Sequence, residues 1–280
     1  MRRIKQPGPE APERAVTVPV TAFDVAFTIM PGRLLLDALA EEIYTHGFDG
    51  AALRLTGDLG PFAYVMPALA TDGKTAAWYS ESYRPEGITR LDAASLTLGW
   101  RDGRPFYHCH GLWTEADGTV NAGHLLPEAV AAAGPVSVTG VGIHGARFDA
   151  RPDPETGFTL LGPVATETAQ AEGGRPALAL RLRPNQDITE ALADLARSQG
   201  WAAPQLEGGV GSIIGARYVG GAGDTDDFAT EMLVRGVTGT PDDLSLDVAL
   251  VDYKGKVGGG RLVPGDNPVL MTLEAVMTGA

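Results

Sequence analysis

The chain has 280 residues, a formal net charge of −13 and a hydrophobic fraction of 44%, which is typical of a globular protein with one large or two ordinary domains. No apolar run approaches the ~20 residues that a membrane-spanning helix needs, and the single Cys109 excludes an intrachain disulfide. The negative charge argues against direct nucleic-acid binding, because phosphates would be repelled. The N-terminal residues 1–16 begin with basic side chains but lack the apolar stretch of a secretory signal, so we expect a flexible arm on a cytoplasmic protein.

Two similar helix patterns occur at corresponding places in the two halves of the chain. They are PGRLLLDALAEEIYTHGF over residues 31–48 and PNQDITEALADLARSQGW over residues 184–201. In each pattern apolar residues recur every three or four positions, which predicts an amphipathic helix. Asp187 and Glu190 have the spacing of a capping box, and Gly47 and Gly200 are expected to end their helices.

A second pair of matching windows predicts a β-hairpin in each half. HCHGLWTEADGTVNAGHLLP, from His108, aligns without a gap with SLDVALVDYKGKVGGGRLVP, from Ser245. Similar strands follow, PVSVTGV from Pro135 and PVLMTLE from Pro268. Matches in the same order predict a tandem duplication, in which each copy runs strand, helix, several strands, hairpin, strand.

The duplication divides the chain into two predicted domains of the α+β class. We assign residues 16–163 to the first copy and residues 177–280 to the second. The small, polar and Gly-rich segment 164–176 is the expected linker between them. The second copy is expected to pack against the first as a structural partner, and a contribution to the wall of the metal pocket is the alternative.

Three of the five histidines lie in the first hairpin. His108 and His110 are expected on the same face of one strand, roughly 7 Å apart. A two-residue turn at Asp117-Gly118 would direct His124, on the next strand, to the opposite face. A three-residue turn that includes Ala116 would instead place His124 directly opposite His110. We favour the second register because a metal site requires it and because glycine suits the left-handed position that closes such a turn.

Three neutral imidazoles with an open fourth position suit Zn²⁺, and Fe, Mn, Ni or Cu also accept such ligands. The alternative interpretation is that these are ordinary core or surface histidines, paired with Glu115 or Asp117. In the second copy the equivalent positions hold Ser245, Asp247 and Arg261, a set that is unsuited to a metal. The sequence therefore predicts one metal site, in the first copy, with the ligands His108, His110 and His124.

This hairpin resembles the plants-and-prokaryotes conserved (PPC) domain, whose pattern is H-x-H, an acidic-Gly turn and then G-G-H-L. The matching residues here are His108-Cys109-His110, Asp117-Gly118 and Ala122-Gly123-His124-Leu125. The resemblance extends over about Ala22 to Pro163, includes Pro31-Gly32 and PETG at residues 154–157, and recurs more faintly from Ala177 to the end. It departs from the pattern at Ala122, where the family has glycine, and in the histidines missing from the second copy.

The resemblance implies an α+β fold built on an antiparallel sheet and commonly assembled as a homotrimer. It also implies a fold shared with α-acetolactate decarboxylase and with a zinc ester hydrolase, both of which use three histidines for zinc. The PPC family has no settled activity. Many of its bacterial members are labelled as DNA-binding because plant relatives carry AT-hooks beside the domain.

Three functions remain open at this stage. A metal-dependent enzyme would use the ion on a small carbonyl or ester compound, because such a metal polarises a carbonyl or activates water. Glu115 and Asp117 are the nearest acidic candidates for proton transfer, although turn residues are more often simply solvated. A DNA-associated regulator is disfavoured, because the two Gly-Arg-Pro sequences lack the preceding basic residue of an AT-hook. The third possibility is a non-catalytic oligomeric binding module with a structural metal.

Other candidate residues are better explained without a ligand. Cys109 alternates to the strand face opposite the histidines and is expected in the core. His46 is predicted at a helix end and His144 in a Gly-rich turn. Arg54 and Arg261 could each bind a carboxylate, but arginines on strands more often form surface ion pairs.

Overall fold

The computed structural model describes residues 1–71, 74–168 and 172–279. The first half contains β1 (Ala15–Ile29), α1 (Leu35–Thr45), β2 (Gly50–Leu59), β3 (Tyr64–Val65), β4 (Pro67–Leu69), β5 (Ala77–Tyr79), β6 (Thr89–Arg101), β7 (Arg104–Thr114), β8 (Val120–Leu125), β9 (Ala132–His144), β10 (Ala146–Pro152) and β11 (Thr159–Ala165). The second half contains β12 (Arg175–Leu182), α2 (Ile188–Gln199), β13 (Gln205–Ile213), β14 (Thr230–Thr238), β15 (Ser245–Asp252), β16 (Val257–Arg261) and β17 (Val269–Thr278).

Within the described residues one sheet of fifteen strands carries the fold, and β4 and β5 form a separate small hairpin. The central strands β1 and β12 pair with each other in antiparallel register. Outward from them the order is β9-β2-β6-β7-β8 on one side and β17-β13-β14-β15-β16 on the other. The pairing is antiparallel except for a short parallel contact between β10 and β6. The element order predicted for each half is confirmed, in a fold that consists mainly of antiparallel sheet.

The helix ends follow the local chemistry of the sequence. Asp187 caps α2 by accepting a hydrogen bond from the Glu190 backbone N–H, as the capping box predicts. Gly200 ends α2 in the left-handed conformation with φ of 71°, and Gly47 follows α1 with φ of 82°. Each helix buries one apolar face against the sheet of its own half.

Strands β9-β2-β6-β7-β8 form one wing of the sheet and strands β17-β13-β14-β15-β16 form the other, and the two wings pack face to face. Arg54 on β2 donates hydrogen bonds to the backbone carbonyls of Val234, Arg235 and Leu206 in the second half. Ser95 on β6 also donates to the Val234 carbonyl, at 3.0 Å. Arg54 therefore joins the two wings through backbone carbonyls, which the sequence did not indicate. It also lies 3.5 Å from the Glu207 carboxylate, with which it forms an ion pair.

A shared core adds to this contact between the halves. It combines buried apolar residues from both halves, among them Val20, Ala52, Phe148, Ala179 and Val276. Burial of apolar area contributes about 25 cal/mol per Å², so a shared core links the stability of one half to that of the other. The expected packing of the second half against the first is present.

Two predictions about connecting segments need correction. The N-terminal segment is not a free arm: Gln6 is 6% exposed and donates a 2.7 Å hydrogen bond to the Leu270 carbonyl, and Arg14 forms an ion pair with Glu155. Its polar groups find partners on folded elements, which composition alone does not predict. The predicted linker 164–176 is shorter, because β11 runs to Ala165 and β12 begins at Arg175; residues 169–171 of it lie outside the described residues. No helix among the described residues is long and apolar enough to cross a membrane.

Candidate metal centre

The turn between β7 and β8 sets the register of the three histidines. Glu115 N–H donates to the Thr119 carbonyl at 2.8 Å, and Gly118 N–H donates to the Glu115 carbonyl at 2.9 Å. Gly118 has φ of 89°, where a side chain would be strained. This is the predicted three-residue turn, and it pairs His110 directly with His124. The predicted register is confirmed.

The structure brings the three predicted histidines together. Each offers one ring nitrogen, and these nitrogens all lie within 4.8 Å of one another. The side chains are almost shielded from solvent, with His108 8%, His110 2% and His124 9% exposed. A compact, buried group of three imidazoles is a suitable ligand set for a transition metal.

The protons on two of the rings can be assigned from their partners. His108 Nδ1 lies 2.7 Å from Glu274 Oε2, and His110 Nδ1 lies 2.9 Å from the Met232 carbonyl oxygen. A carboxylate and a carbonyl both accept, so each Nδ1 carries a proton, and in a neutral ring the Nε2 then presents a lone pair. The two Nε2 atoms lie 3.1 Å apart, a distance that a cation held between two neutral rings satisfies, as does a proton carried by one of them.

Burial keeps His110 and His124 in the neutral form that binds metal. It holds the pKa of His110 well below its usual range, and the neighbouring His108 and His124 lower it further. Burial and His108 likewise lower the pKa of His124. The Nδ1 atom of His124 is buried without a hydrogen-bond partner among the described residues. Neutral imidazoles with an unused nitrogen are what a divalent metal requires.

Two buried carboxylates from the second half complete the surroundings. Glu274 on β17 accepts hydrogen bonds from Thr97 and Thr272 as well as from His108. Glu231 on β14 is 6% exposed, its Oε1 lies 3.6 Å from His110 Nε2, and burial raises its pKa well above the usual range. Sequence reasoning missed both carboxylates, although Glu274, the one charged residue of the mostly apolar strand VLMTLEAVMT, was a usable signal.

The acidic residues that the sequence favoured are not at the site. Glu115 is held on the other face of the hairpin by the Asn121 amide at 2.8 Å, the Tyr64 hydroxyl and the Trp113 indole N–H. Asp117 caps the turn by accepting from the Thr119 N–H at 2.8 Å. Neither pairs with a histidine, so the expectation that they are the nearest acids is wrong. Spacing along the sequence favoured them, whereas the opposing strands supply the actual neighbours.

A pocket opens beside the histidines. Its narrow part lies at His108 and His110 and is lined from the second half by Glu231 and Thr272. Its wider part extends past His124 and Arg101. The walls are largely aromatic, with the side chains of Trp78, Tyr79, Phe106 and Phe158. The second half therefore contributes to the pocket wall, through Glu231 rather than through Arg261.

Tyr79 is an aromatic residue of the pocket wall that lies beside His124. Its ring centroid lies 5.4 Å from that of His124. Burial raises the pKa of its hydroxyl, and the nearby Glu231 and Glu274 add to the effect. The phenol therefore stays protonated at neutral pH and is available as a hydrogen-bond donor to a molecule in the pocket.

The equivalent hairpin of the second half carries no such site. Asp247 pairs with Arg261 in the sheet register, as His110 does with His124. Asp247 accepts a 2.8 Å ion pair from Arg235, with both side chains well exposed, and Arg261 is also exposed. The described residues contain a single group of potential metal ligands, the three histidines of the first half.

The remaining candidate residues have local structural roles. Cys109 is buried in the core on the face opposite the histidines, as predicted. His46 caps the end of α1 and is exposed, and His144 ends β9 and packs against Phe23. Arg175, in one of the Gly-Arg-Pro sequences, forms a 2.6 Å ion pair with Asp24. None of these residues belongs to the group of potential metal ligands among the described residues.

Comparison with known proteins gives limited matches. No family model matches the sequence, and no curated protein matches it either. Among solved structures, a PPC protein from Pyrococcus horikoshii is similar at 18% identity and a TM-score of 0.42, over 52% of this chain and 96% of that one. A metal-containing protein from Archaeoglobus fulgidus matches at 20% identity and a TM-score of 0.41, over 50% of this chain and 94% of that one.

A third solved structure, a protein from Ralstonia eutropha provisionally described as DNA-binding, is 21% identical with a TM-score of 0.36. It covers 49% of this chain, and 89% of that chain is matched. All three matches extend over only about half of this chain. Over that half, the chain is similar to structures that include a PPC protein, the family that the histidine hairpin resembles.

Proposed function

We propose that this chain is a PPC-like protein that binds one divalent transition metal, with zinc the best candidate, through His108, His110 and His124. The observation that carries the proposal is the 3.1 Å approach of the Nε2 atoms of His108 and His110. Both Nδ1 protons are donated to acceptors, so in the neutral form of the two rings neither Nε2 atom has a proton to share. A cation between the two lone pairs removes the repulsion and gives the buried rings a function.

The residues present fit this metal in their chemistry as well as in their positions. His110 and His124 are neutral, and three neutral imidazoles are a common zinc ligand set. Glu274 and the Met232 carbonyl fix two of the rings by accepting their Nδ1 protons, the usual role of groups behind metal-bound histidines. The unpartnered Nδ1 of His124 supports a site that is completed only when a ligand is bound.

We further propose that the centre is catalytic and acts on a small organic carbonyl or ester compound. A bound zinc ion would supply Lewis-acid polarisation of an oxygen atom. The chain's own contribution is a pocket whose walls include several aromatic side chains, which would hold the organic part of a substrate beside the histidines. The protonated hydroxyl of Tyr79 is suited to donate a hydrogen bond to the same substrate.

The origin of the fold is part of the same proposal. The matching order of strands on the two sides of β1 and β12 supports a tandem duplication, with the second copy degenerate at the metal site. Residues 16–163 and 177–280 are the proposed two copies, in the fold shared with α-acetolactate decarboxylase, and β11 and β12 extend a few residues into the segment 164–176 between them. A homo-oligomer, with a trimer favoured, also remains a proposal. Sheet ends at β3 and β16 that need covering support it, and light scattering would test it.

A non-catalytic binding module is the second candidate, and the buried position of the histidines supports it, because structural metals are usually enclosed. Direct nucleic-acid binding is not proposed. The net charge is −13, and Arg175 of one Gly-Arg-Pro sequence is already paired with Asp24. The partner we expect is therefore a small molecule.

Elemental analysis of purified protein tests the metal proposal. We expect about one metal per chain in the wild type and in His46→Ala, whose histidine is exposed and distant in sequence, and almost none in His110→Ala. Equal metal in His110→Ala and the wild type would reject the site. Metal-loaded and metal-free protein would then be compared on a panel of small esters and keto acids, and activity that does not depend on the metal would reject the catalytic part.

A further inference from the structure

Glu231 is the residue at the site whose position the tri-histidine proposal leaves unexplained. It lies on β14 of the second half, is 6% exposed and lines the narrow part of the pocket together with His108 and His110. Its Oε2 atom is buried without a hydrogen-bond partner among the described residues. A buried carboxylate oxygen without a partner is costly, so a group that binds it is expected.

Glu231 lies next to the histidine group, although the ligand atoms that lie within 4.8 Å of one another are those of the three histidines alone. Its Oε1 lies 3.6 Å from His110 Nε2, and that Nε2 lies 3.1 Å from the Nε2 of His108. Two ligand atoms that each bind zinc at about 2.0–2.2 Å lie roughly 3–4 Å apart. The carboxylate is therefore spaced from His110 as a neighbouring ligand would be. It is too far away for a good hydrogen bond to that ring.

Glu274, the other carboxylate from the second half, provides a contrast. It is fully used by hydrogen bonds from His108, Thr97 and Thr272. Glu231, which lines the pocket, has no comparable set of donors among the described residues. Three neutral imidazoles leave both positive charges of a bound divalent cation unbalanced. Two buried carboxylates on the opposing wing would balance them.

We propose that Glu231 is the fourth protein ligand of the metal, so that the centre is shared between the two halves of the chain. This rests on the proposed tri-histidine site and deepens it. The first half supplies the imidazoles, and the second half supplies one direct carboxylate ligand and, through Glu274, the orientation of His108. A five-coordinate metal on these four ligands keeps one position for a small molecule.

Cobalt(II) titration of the metal-free full chain tests the proposal, because the visible spectrum of cobalt reports its ligands while the titration gives the affinity. The variants are Glu231→Gln, which keeps the shape and removes the charge, and Glu128→Gln, the same change at an exposed position. We expect Glu231→Gln to bind cobalt about 10- to 100-fold more weakly, with a changed spectrum. We expect Glu128→Gln to match the wild type in both.

The outcomes separate this proposal from the one on which it rests. Wild-type protein that binds no cobalt would overturn both. Wild-type binding with an unchanged affinity and spectrum in Glu231→Gln would overturn the fourth ligand alone. If Glu231→Gln does not fold, a crystal structure of the zinc-loaded wild type would test the fourth ligand instead. A Glu231 oxygen within about 2.2 Å of the ion supports the proposal, and one beyond about 3 Å overturns it.

Discussion

The hairpins β7–β8 and β15–β16 share one backbone design and have different side chains. In the second, as in the first, a three-residue turn is closed by a glycine: Gly255 N–H donates to the Asp252 carbonyl at 2.9 Å, and Gly255 has φ of 78°. The paired positions are His110 with His124 in one hairpin and Asp247 with Arg261 in the other. A common hairpin geometry therefore does not by itself make the candidate metal site.

The two hairpins differ in the strands and side chains that pack over them. The histidines lie beneath β14 and β17 of the opposite wing, and the pocket beside them is walled by Trp78 and Tyr79 at β5 and by Phe158 before β11. The second half has no counterpart of β4, β5, β10 or β11 in its element order. Its Asp247 and Arg261 are accordingly left near solvent. Burial and opposing carboxylates, rather than the hairpin itself, distinguish the first site.

Removing the second half is expected to have the largest effect on folding and on metal binding. A chain that ends at Pro163 loses β12, which pairs with β1 from Ala15 to Ala22. It also loses both Glu231 and Glu274 and exposes the shared core around Phe148. We expect insoluble or unfolded protein without bound metal, measured by soluble yield, circular dichroism and elemental analysis. A truncated chain that stays folded, metal-loaded and in the oligomeric state of the full chain would contradict a shared centre.

Grafting the histidines onto the second hairpin sharpens the comparison. The triple variant Ser245→His, Asp247→His and Arg261→His places histidines at the equivalent positions of the second hairpin. These positions lack the opposing strands and pocket walls that bury the first three histidines. We expect a second zinc site at least about tenfold weaker than the first, because no buried acceptors would fix the new rings. Calorimetric titration with zinc would resolve the two sites, and two sites of equal affinity would show that the hairpin alone is sufficient.

The smallest effect is expected for Arg261→Ala. Arg261 is exposed, and its side chain does not line the pocket at the histidines. We expect unchanged metal content and a change in unfolding free energy within about 0.5 kcal/mol, as for most surface substitutions. Elemental analysis and thermal unfolding would check this, and a clear loss of metal would mean that Arg261 does reach the site.

Local sequence signals were sufficient for the parts of the fold that are set locally. The α2 cap at Asp187 and Glu190 and the three-residue turn closed by Gly118 depend on residues a few positions apart. Strand alternation and that turn together placed His124 opposite His110. The convergence of the three histidines could therefore be predicted before any tertiary contact was known, once the register that a metal site requires was preferred.

The surroundings of the ligands depend on pairing across the chain, which spacing does not encode. Glu274 is 166 residues from His108, and Met232 is 122 residues from His110. No rule of local periodicity connects such pairs, so sequence spacing indicated only Glu115 and Asp117, which do not contact the histidines. A single charged residue in a strand of otherwise uncharged, mostly apolar side chains is the one local signal that pointed to Glu274.

The central claim is that the three histidines of the first half hold one metal ion per chain. Calorimetric titration of metal-free protein with zinc tests it most directly, in the wild type, in the triple variant His108→Ala, His110→Ala and His124→Ala, and in the control His144→Ala. We predict one site per chain in the wild type and the control, and none of comparable affinity in the triple variant. Zinc binding of equal affinity and stoichiometry in the triple variant would contradict it.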